Sequence, residues 1–395
     1  MNKADIIVVG GGVVGTSAAY YLSKTGAKVI LVDRQDIASG TSGRCDGNIV
    51  VYDMMPWQIP FARKAQDLFP DLAEEIGYDI EWKRRGSVLL IDTEQELEVA
   101  RKHVEEMAAI GQPYRMMDRQ EVRDDEPLVG PKVVGGVEVA CDGSLNPMYL
   151  AFGFMKGARR RGATFVSNAP VTAIVKNADG SIAGVETDRG TYYAPVVIDA
   201  AGAWSNKIAA MVGIHIPMEP RRGDMIVAER TGRVAKRKIS EFAYITTKVQ
   251  LEGYQRPISE EMALNGICFV FEPCEPGNFL VGSSRWFNGF DVLSSPRHTR
   301  LIAQRALDFF PCIQDARAIR TYAGLRPYSE DHIPIVCETA VPGFYLATGH
   351  EGSGILYAPI TGLLLSQLIT REPNPIIDPA RWDMKRFAAN KREAH

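Results

Sequence analysis

The sequence predicts an α/β protein with a second, α+β unit. The first unit is a mostly parallel sheet flanked by helices and discontinuous in sequence; the second is built on a mainly antiparallel sheet. Three observations carry this reading. The chain opens on strand, glycine turn and helix, the same pattern comes back near the C-terminus, and strand-rich sequence occupies the stretch from Arg221 to Ser284. At 395 residues the chain is long for one core, since single domains usually run ~100–200 residues.

Asp5-Ile-Ile-Val-Val9 is a short apolar run of the kind buried in a parallel sheet, and it leads into Gly10-Gly-Gly12-Val13-Val14-Gly15 and the apolar helix that follows. This is a G-x-G-x-x-G turn in its proper context. Gly10 lets the chain turn, Gly12 lets a pyrophosphate approach the backbone, and Gly15 lets helix and strand pack closely. The helix N-terminus then offers free N–H groups to phosphate. Lys28-Val-Ile-Leu-Val32 reads as the second strand and ends on Asp33, 18 residues after Gly15. That is close to the ~20 at which an acid meets a ribose hydroxyl in a dinucleotide site. With one such fingerprint in the chain, the options are bound FAD or bound NAD(P).

Composition excludes several classes. Hydrophobic residues make up 46% and charged residues 24%, as in ordinary globular proteins, and the formal net charge of −3 offers no excess of cations for nucleic acid. Arg159-Arg-Arg161 reads as cations at a helix C-terminus. The six cysteines (Cys45, Cys141, Cys268, Cys274, Cys312, Cys337) are scattered without a C-x-x-C pair, so no iron–sulfur or zinc motif is recognisable and free thiols are expected. His350-Glu351 does not continue as H-E-x-x-H, and no metal is expected. With no signal peptide and no run of ~18 uninterrupted apolar residues, the expectation is a cytoplasmic protein without a membrane span.

In chain order, Arg34 to Asn48 is a loop rich in glycine and small hydroxyl residues, leaving the carboxyl end of the second strand where open α/β sheets place ligands. Phe61 to Ile76 reads as a helix, Arg85–Ile91 as a strand, and Thr93 to Ile110 as an amphipathic helix. Val133–Val139 is strand-like. Met148 to Arg161 is helical, Gly162–Val166 and Pro170–Val175 are strands, and Ile182–Thr187 with Thr191–Tyr193 flank Asp188-Arg-Gly190 as a hairpin. Pro195 to Trp204 is a buried strand running into a glycine turn. Near Tyr322-Ala-Gly-Leu-Arg-Pro327 the chain is expected to rejoin the first domain, with strands at Ile333–Val336 and Gly343–Thr348. Gly349-His-Glu-Gly352-Ser-Gly354 then opens an apolar helix from Ile355 to Ile369, with Pro359 in its first turns. The expected division is 1–84, 145–220 and 321–395 for the cofactor domain, and 85–144 and 221–320 for the substrate domain.

The glycine fingerprint, the loop Ser39-Gly40-Thr41-Ser42-Gly-Arg44, Asp199-Ala-Ala201-Gly202-Ala-Trp204-Ser205, Ala323-Gly324-Leu-Arg326-Pro327 and Gly349-His350-Glu-Gly352-Ser353-Gly354-Ile355 together resemble the D-amino-acid oxidase family of flavoproteins. That family includes glycine and sarcosine oxidases, hydrogen cyanide synthase and the flavin subunits of opine and D-hydroxyproline dehydrogenases. The resemblance implies a Rossmann-like domain binding FAD without a covalent link. It assigns Gly10, Gly12, Val13, Val14, Gly15, Asp33, Arg34, Gly40, Thr41, Ser42, Arg44, Gly47, Val171, Ala201, Gly202, Trp204, Gly324, Gly352, Ser353, Gly354 and Ile355 to the cofactor. It also implies oxidation of a carbon–nitrogen bond beside a carboxylate, with hydride leaving the neutral amine for the flavin and the imine then hydrolysing.

Arg326 matches the arginine that holds the substrate carboxylate in this family, a role suited to a planar guanidinium. His350 shapes the pocket or caps the helix that follows it. Asn48 faces the substrate or ends a turn. Where glycine oxidase-like relatives place an aromatic hydroxyl on the carboxylate, Gly266-Ile-Cys-Phe-Val-Phe-Glu-Pro273 has no tyrosine. That contact is therefore absent, moved to Tyr244 or Tyr254, or replaced by contacts of a larger substrate.

The reading is an FAD-dependent amino-acid oxidoreductase acting on D-hydroxyproline, sarcosine or glycine, or an opine. A dehydrogenase-type subunit would pass electrons to a redox partner in a hetero-oligomer, with FMN at the contact in some relatives. Three rivals stand beside it: a stand-alone oxidase making hydrogen peroxide, a flavin-binding subunit without turnover, and an NAD-linked dehydrogenase.

Overall fold

The computed structural model describes residues 2–247, 256–373 and 375–387. Ile6–Val9 (β1) and Val29–Val32 (β2) are aliphatic and buried at every position, the pattern of strands covered on both faces. They pair in parallel, and the helix between them, Val13–Lys24 (α1), is the crossover that a parallel pair requires. Among the described residues their sheet has six strands, in the order 335–338, 344–348, 196–199, β1, β2, 164–166. Only the pairing of Ile335–Glu338 with Phe344–Thr348 is antiparallel. The helix Pro147–Arg159 packs on α1 from one side, started by Asn146, whose Oδ1 accepts from the Met148 and Tyr149 amides at 3.2 and 3.3 Å. The short strand Asn48–Ile49 (β3) pairs with Gly143–Ser144, and the expected hairpin is present as Ile182–Thr187 and Gly190–Tyr193.

A second sheet, of nine strands among the described residues, is organised on one long ribbon. Met218–Ala228 (β4) runs antiparallel to Ala318–Ser329 (β5) over its whole length, with Arg221 opposite Arg326 and Gly223 opposite Gly324. Ser87–Ile91 and Gly135–Val139 lie in this sheet too. Two expectations need correction. Tyr322 to Pro327, assigned to the first domain, belongs to β5 and so to the second sheet; the chain rejoins the first sheet at Ile335. The single helix expected over 61–76 is two, Ile59–Gln66 and Phe69–Ile76. Pro70 has no N–H to give the preceding turn, and its ring would meet the carbonyl of Gln66.

The last helix of the first domain, Gly354–Thr370 (α2), is apolar nearly all round and mostly buried. The segment Glu351–Thr370 is, among the described residues, the one helix long and apolar enough to cross a membrane. Here it is a core helix: Leu356, Tyr357 and Leu364 share one cluster with Tyr20, Tyr21, Leu150 and Phe154. Pro359 lies beyond the first turn and the helix runs on through it. Contact with α1 is close because both helices are small at the crossing. Ser17 Oγ donates to Ala358 O at 2.7 Å, and a Cβ on Gly362 would lie 2.4 Å from Ser17 Oγ and 2.7 Å from Ser17 O. Gly362→Ala must therefore push two buried helices apart. It is expected to cost about 1–3 kcal/mol, the usual penalty of overpacking, read as a lower midpoint in thermal or urea unfolding; an unchanged midpoint would show that the crossing is looser than this geometry.

Candidate functional site

The glycine turn between β1 and α1 is built by close approach. Gly10 has φ +115°, and a Cβ there would lie 2.4 Å from Ala200 O. A Cβ on Gly15 would lie 1.9 Å from Gly10 O, so Gly15 serves helix–strand packing and does not line the cavity. Asp33 lines it, and its carboxylate also fixes the turn: Oδ2 accepts from the Gly11 amide at 2.6 Å and Oδ1 from the Gln35 amide at 2.7 Å. Gly12 caps α1 without a side-chain hydrogen bond, and no acid occupies the first turn. The Val13 amide donates to Ser42 Oγ at 2.9 Å, and with no acid nearby in the first turn the positive end of the helix still suits an anion.

A single cavity of ≈ 380 Å³ runs from this turn to the second sheet. Val13, Val14, Arg34, Gly40, Thr41, Ser42 and Arg44 line it, as do Val171, Ala201, Gly202 and Trp204. The Arg34 guanidinium stacks over the Trp204 ring at 3.9 Å. Gly47 stands outside the lining. Its φ is +76° and a Cβ would lie 2.0 Å from Leu145 O, so it is a glycine for backbone reasons. The loop is tied to the second domain: Thr41 Oγ1 donates to Leu325 O at 2.6 Å and Arg44 Nη1 to Ala323 O at 3.2 Å. Asp199, buried and pushed up to about 7 by desolvation, holds the opposite turn by accepting from the Ala201 amide and Ser205 Oγ.

The start of α2 closes the cavity from the far side. Gly352, Ser353, Gly354 and Ile355 line it, Ser353 caps the helix without a side-chain bond, and the acid before it, Glu351, is paired with Arg221. His350 also lines the cavity. Its Nε2 is 2.9 Å from Thr361 Oγ1, and burial drives its pKa down to about 3; it is a neutral ring anchored on α2, and it makes no capping bond to the turn it precedes. Two helix N-termini with no acid in the first turn, both reaching one cavity lined by Gly10, Gly12, Gly352 and Gly354, fit a flavin dinucleotide. One terminus suits the pyrophosphate and the other the electron-rich end of the ring.

The inner end is made by the ribbon. Arg326, Gly324, Gly223 and Met225 line the cavity from β4 and β5, together with Val270, Tyr52, Tyr244 and Asn48. Arg326 Nη1 donates to Ser284 O at 3.1 Å and Arg222 O at 3.4 Å; no carboxylate pairs with it among the described residues. Burial and the nearby Arg285 hold its pKa below the ordinary arginine value. The guanidinium lies flat over Gly223, where a Cβ would be 2.3 Å from Nη1. Its cross-strand neighbour Arg221 is instead paired with Glu351, whose other oxygen is 2.7 Å from His332 Nδ1.

Asn48 Oδ1 is buried with no hydrogen-bond partner, a deficit that typically costs about 1–3 kcal/mol. Of the two tyrosines considered from sequence, Tyr244 lines the inner end and Tyr254 lies outside the described residues. Gly223, Met225, Tyr52, Val270 and Glu351 were missed in the sequence, where only strand register shows that they meet. No group of three or more His, Cys, Asp or Glu among the described residues is placed to hold a metal ion.

Comparison with known proteins places the fold and the family. The chain is 28% identical to the hydrogen cyanide synthase subunit HcnC of Pseudomonas aeruginosa, with 95% of each chain covered. It is 27% identical to the glycine oxidase of Geobacillus kaustophilus over 94% of each chain, and that enzyme's crystal structure superposes with a TM-score of 0.85 over 98% of this chain and 99% of the other. An opine oxidase subunit of Agrobacterium tumefaciens is 26% identical, covering 93% of this chain and 94% of its own. The model of the family described as DAO, FAD dependent oxidoreductase, matches residues 5–368, and the chain belongs to that family.

Proposed function

We propose that this FAD-dependent oxidoreductase oxidises the C–N bond of a small carboxylated amine, such as D-hydroxyproline, sarcosine or glycine, or an opine-like amino acid, and works as a dehydrogenase-type subunit. The observation that carries the reading is Arg326: a guanidinium lining the inner end of the cavity, held along one edge by two backbone carbonyls and without a carboxylate of its own among the described residues. A substrate carboxylate completes it with charge-assisted hydrogen bonds and fixes the carbon beside the nitrogen. FAD, when bound, supplies the two-electron acceptor for the hydride from that carbon. Gly10, Gly12 and the α1 N-terminus would hold its pyrophosphate, Asp33 its ribose, and Gly352 to Ile355 its ring. His350, neutral and bonded to Thr361, orients the start of α2 and carries no proton in the reaction.

That HcnC and the opine oxidase relative are both named as subunits supports a hetero-oligomer in which a partner takes the electrons. The likeness to glycine oxidase favours a second reading, a stand-alone oxidase. One experiment separates them. The purified protein is titrated anaerobically with D-hydroxyproline, sarcosine, glycine and opines until the flavin band bleaches, and air is then admitted. Slow return of colour, faster with an artificial acceptor, is the expected result; rapid return with stoichiometric peroxide would establish the oxidase. If no amine bleaches the flavin, the amine-oxidising reading falls.

Arg326→Met is expected to lose roughly 10²–10³ in kcat/KM, the scale of about 3–4 kcal/mol for a lost bidentate pair. Gly223→Ala should do similar harm by a different route, because the added methyl occupies the place of Nη1; about 10²-fold is expected for a displaced anchor, with unfolding midpoints near wild type. Full activity in Gly223→Ala would contradict the role given to Arg326.

His350→Gln should leave the shape of the kcat/KM–pH profile unchanged between about pH 5 and 9. It should, however, alter acid stability. The unfolded state takes up the His350 proton near 6.5 and the native state only near 3; stability is therefore present above 6.5 and lost as pH falls toward 3. The variant should lack that part of the acid slope in urea midpoints measured against pH.

A further inference from the structure

The outer face of the helix Pro147–Arg159 takes no part in the cofactor cavity. Its inner face is buried with Tyr20 and Tyr21 of α1. Outward, Met148, Phe152, Lys156 and Arg159 are spaced four, four and three apart and so share one stripe, with Tyr149 beside them. Met148, Tyr149 and Phe152 are 41%, 37% and 37% exposed, a cluster of large apolar side chains of the kind that marks a contact surface. Next to them, Ile37, Phe152, Met155, Lys156, Arg159 and Arg160 line an open hollow.

Charge changes sign along this stripe. At its C-terminal end stand Lys156, Arg159, Arg160 and Arg161, and the helix itself contains no acid. These cations are held in place: Lys156 lies over the Tyr78 ring at 5.2 Å and Arg159 over Phe165 at 5.8 Å, while Arg160 donates to Ile76 O and Arg161 to Gly157 O. No carboxylate pairs with any of the four among the described residues. At the N-terminal end the chain that runs alongside supplies Asp79, which is exposed, and Glu81, whose Oε2 accepts from Asn146 Nδ2 at 3.1 Å. Neither acid is ion-paired among the described residues. Tyr78 ties this segment to the stripe, since its ring meets that of Tyr149 at 6.0 Å as well as the Lys156 ammonium.

An order of acid, apolar and cation along one face complements itself when reversed. Two such helices laid antiparallel about a two-fold axis beside Phe152 set position 148 of each opposite position 156 of the other, and position 146 opposite 158. Met148 of each copy then enters the hollow of the other, the two Phe152 rings meet at the axis, and Asp79 and Glu81 of each copy face the cations of the other. We propose that this face is an isologous interface between two copies of the chain. Aromatic, Met and Arg side chains are what interface centres favour. A hollow rimmed by fixed cations also suits a protruding side chain and placed carboxylates better than a lipid surface, which asks for a broad apolar helix face. Such pairing depends neither on the substrate nor on the electron acceptor.

Sedimentation of the FAD-loaded protein between about 1 and 100 μM, a range that brackets a micromolar dissociation constant, should show a dimer that added salt weakens. Phe152→Glu should raise its dissociation constant by about 30-fold or more, as loss of a central aromatic anchor does. Two charge-reversed proteins, Lys156→Glu with Arg159→Glu and Asp79→Lys with Glu81→Lys, should each be monomeric, because like charges then meet across both halves of the contact. Mixed in equal amounts they should dimerise, since each reversal restores the other's pairing; flavin retained by both shows that they are folded. A wild type that stays monomeric at about 100 μM overturns the proposal, and so does a dimer that Phe152→Glu leaves intact. Charge-reversed proteins that keep their flavin yet dimerise singly, or do not associate on mixing, overturn it as well. Should either lose its flavin, Phe152→Glu decides alone.

Discussion

Two arginines face each other across an antiparallel ribbon, and much of the site follows from how that conflict is resolved. Arg221 and Arg326 occupy opposite positions of β4 and β5 and so project from the same face, where like charges destabilise the pairing. Arg221 is brought down to about 9 by burial, then by Arg285 and Arg326. The fold compensates one of the two with Glu351, which approaches in the left-handed region at φ +50° and is shared with His332. The other keeps only neutral carbonyls, an arrangement that favours the compact state less than a second ion pair would. A carboxylate bound there, as proposed, would relieve repulsion already present.

The ribbon also sets the distance between the flavin site and Arg326, the proposed carboxylate anchor. The loop that follows Asp33 is hydrogen-bonded through Thr41 and Arg44 to the strand that carries Arg326, and Gly324 allows that approach, since a Cβ there would lie 3.1 Å from Arg44 O. The α1 N-terminus, the loop and the ribbon therefore form one rigid chain of contacts. In an FAD-dependent oxidoreductase this is where precision matters, because the cofactor brings the chemistry and the protein supplies placement.

What could be read in the sequence was local. The turn from β1 to α1, Asp33, the loop to Asn48 and the start of α2 each depend on residues within a few positions of one another, and all of these segments contribute to the cavity. What could not be read was register. Gly223 looks like any strand glycine until it is found opposite Gly324 with a guanidinium lying across it, and Tyr322 to Pro327 carries nothing that says which sheet will pair with it. The helix Pro296–Phe309 has a Ser295 cap and a clear amphipathic period yet went unread, as did the Asp118–Glu121 capping box that starts the helix Arg119–Asp125. Both are local signals, and both lie outside the strand-rich stretch from Arg221 to Ser284.

The charge balance at the inner end also bears on which carboxylated amines suit the site. Lys238 is neutralised by Asp46, with Glu272 3.9 Å away and pushed up to about 7 by burial. Arg221 belongs to Glu351, and Arg285 stacks over Tyr244 at 4.1 Å, its pKa raised above the ordinary value because Tyr244 and other neighbours outweigh burial. Arg326 has no carboxylate partner among the described residues, and neither has Arg44, which lines the same cavity and donates to Ala323 O. On the proposed reading, one carboxylate would meet Arg326 without displacing an existing ion pair. A second carboxylate, as in an opine, would reach toward Arg44, or toward Arg34 and Lys207, where the cofactor's own phosphates would compete for the same cations.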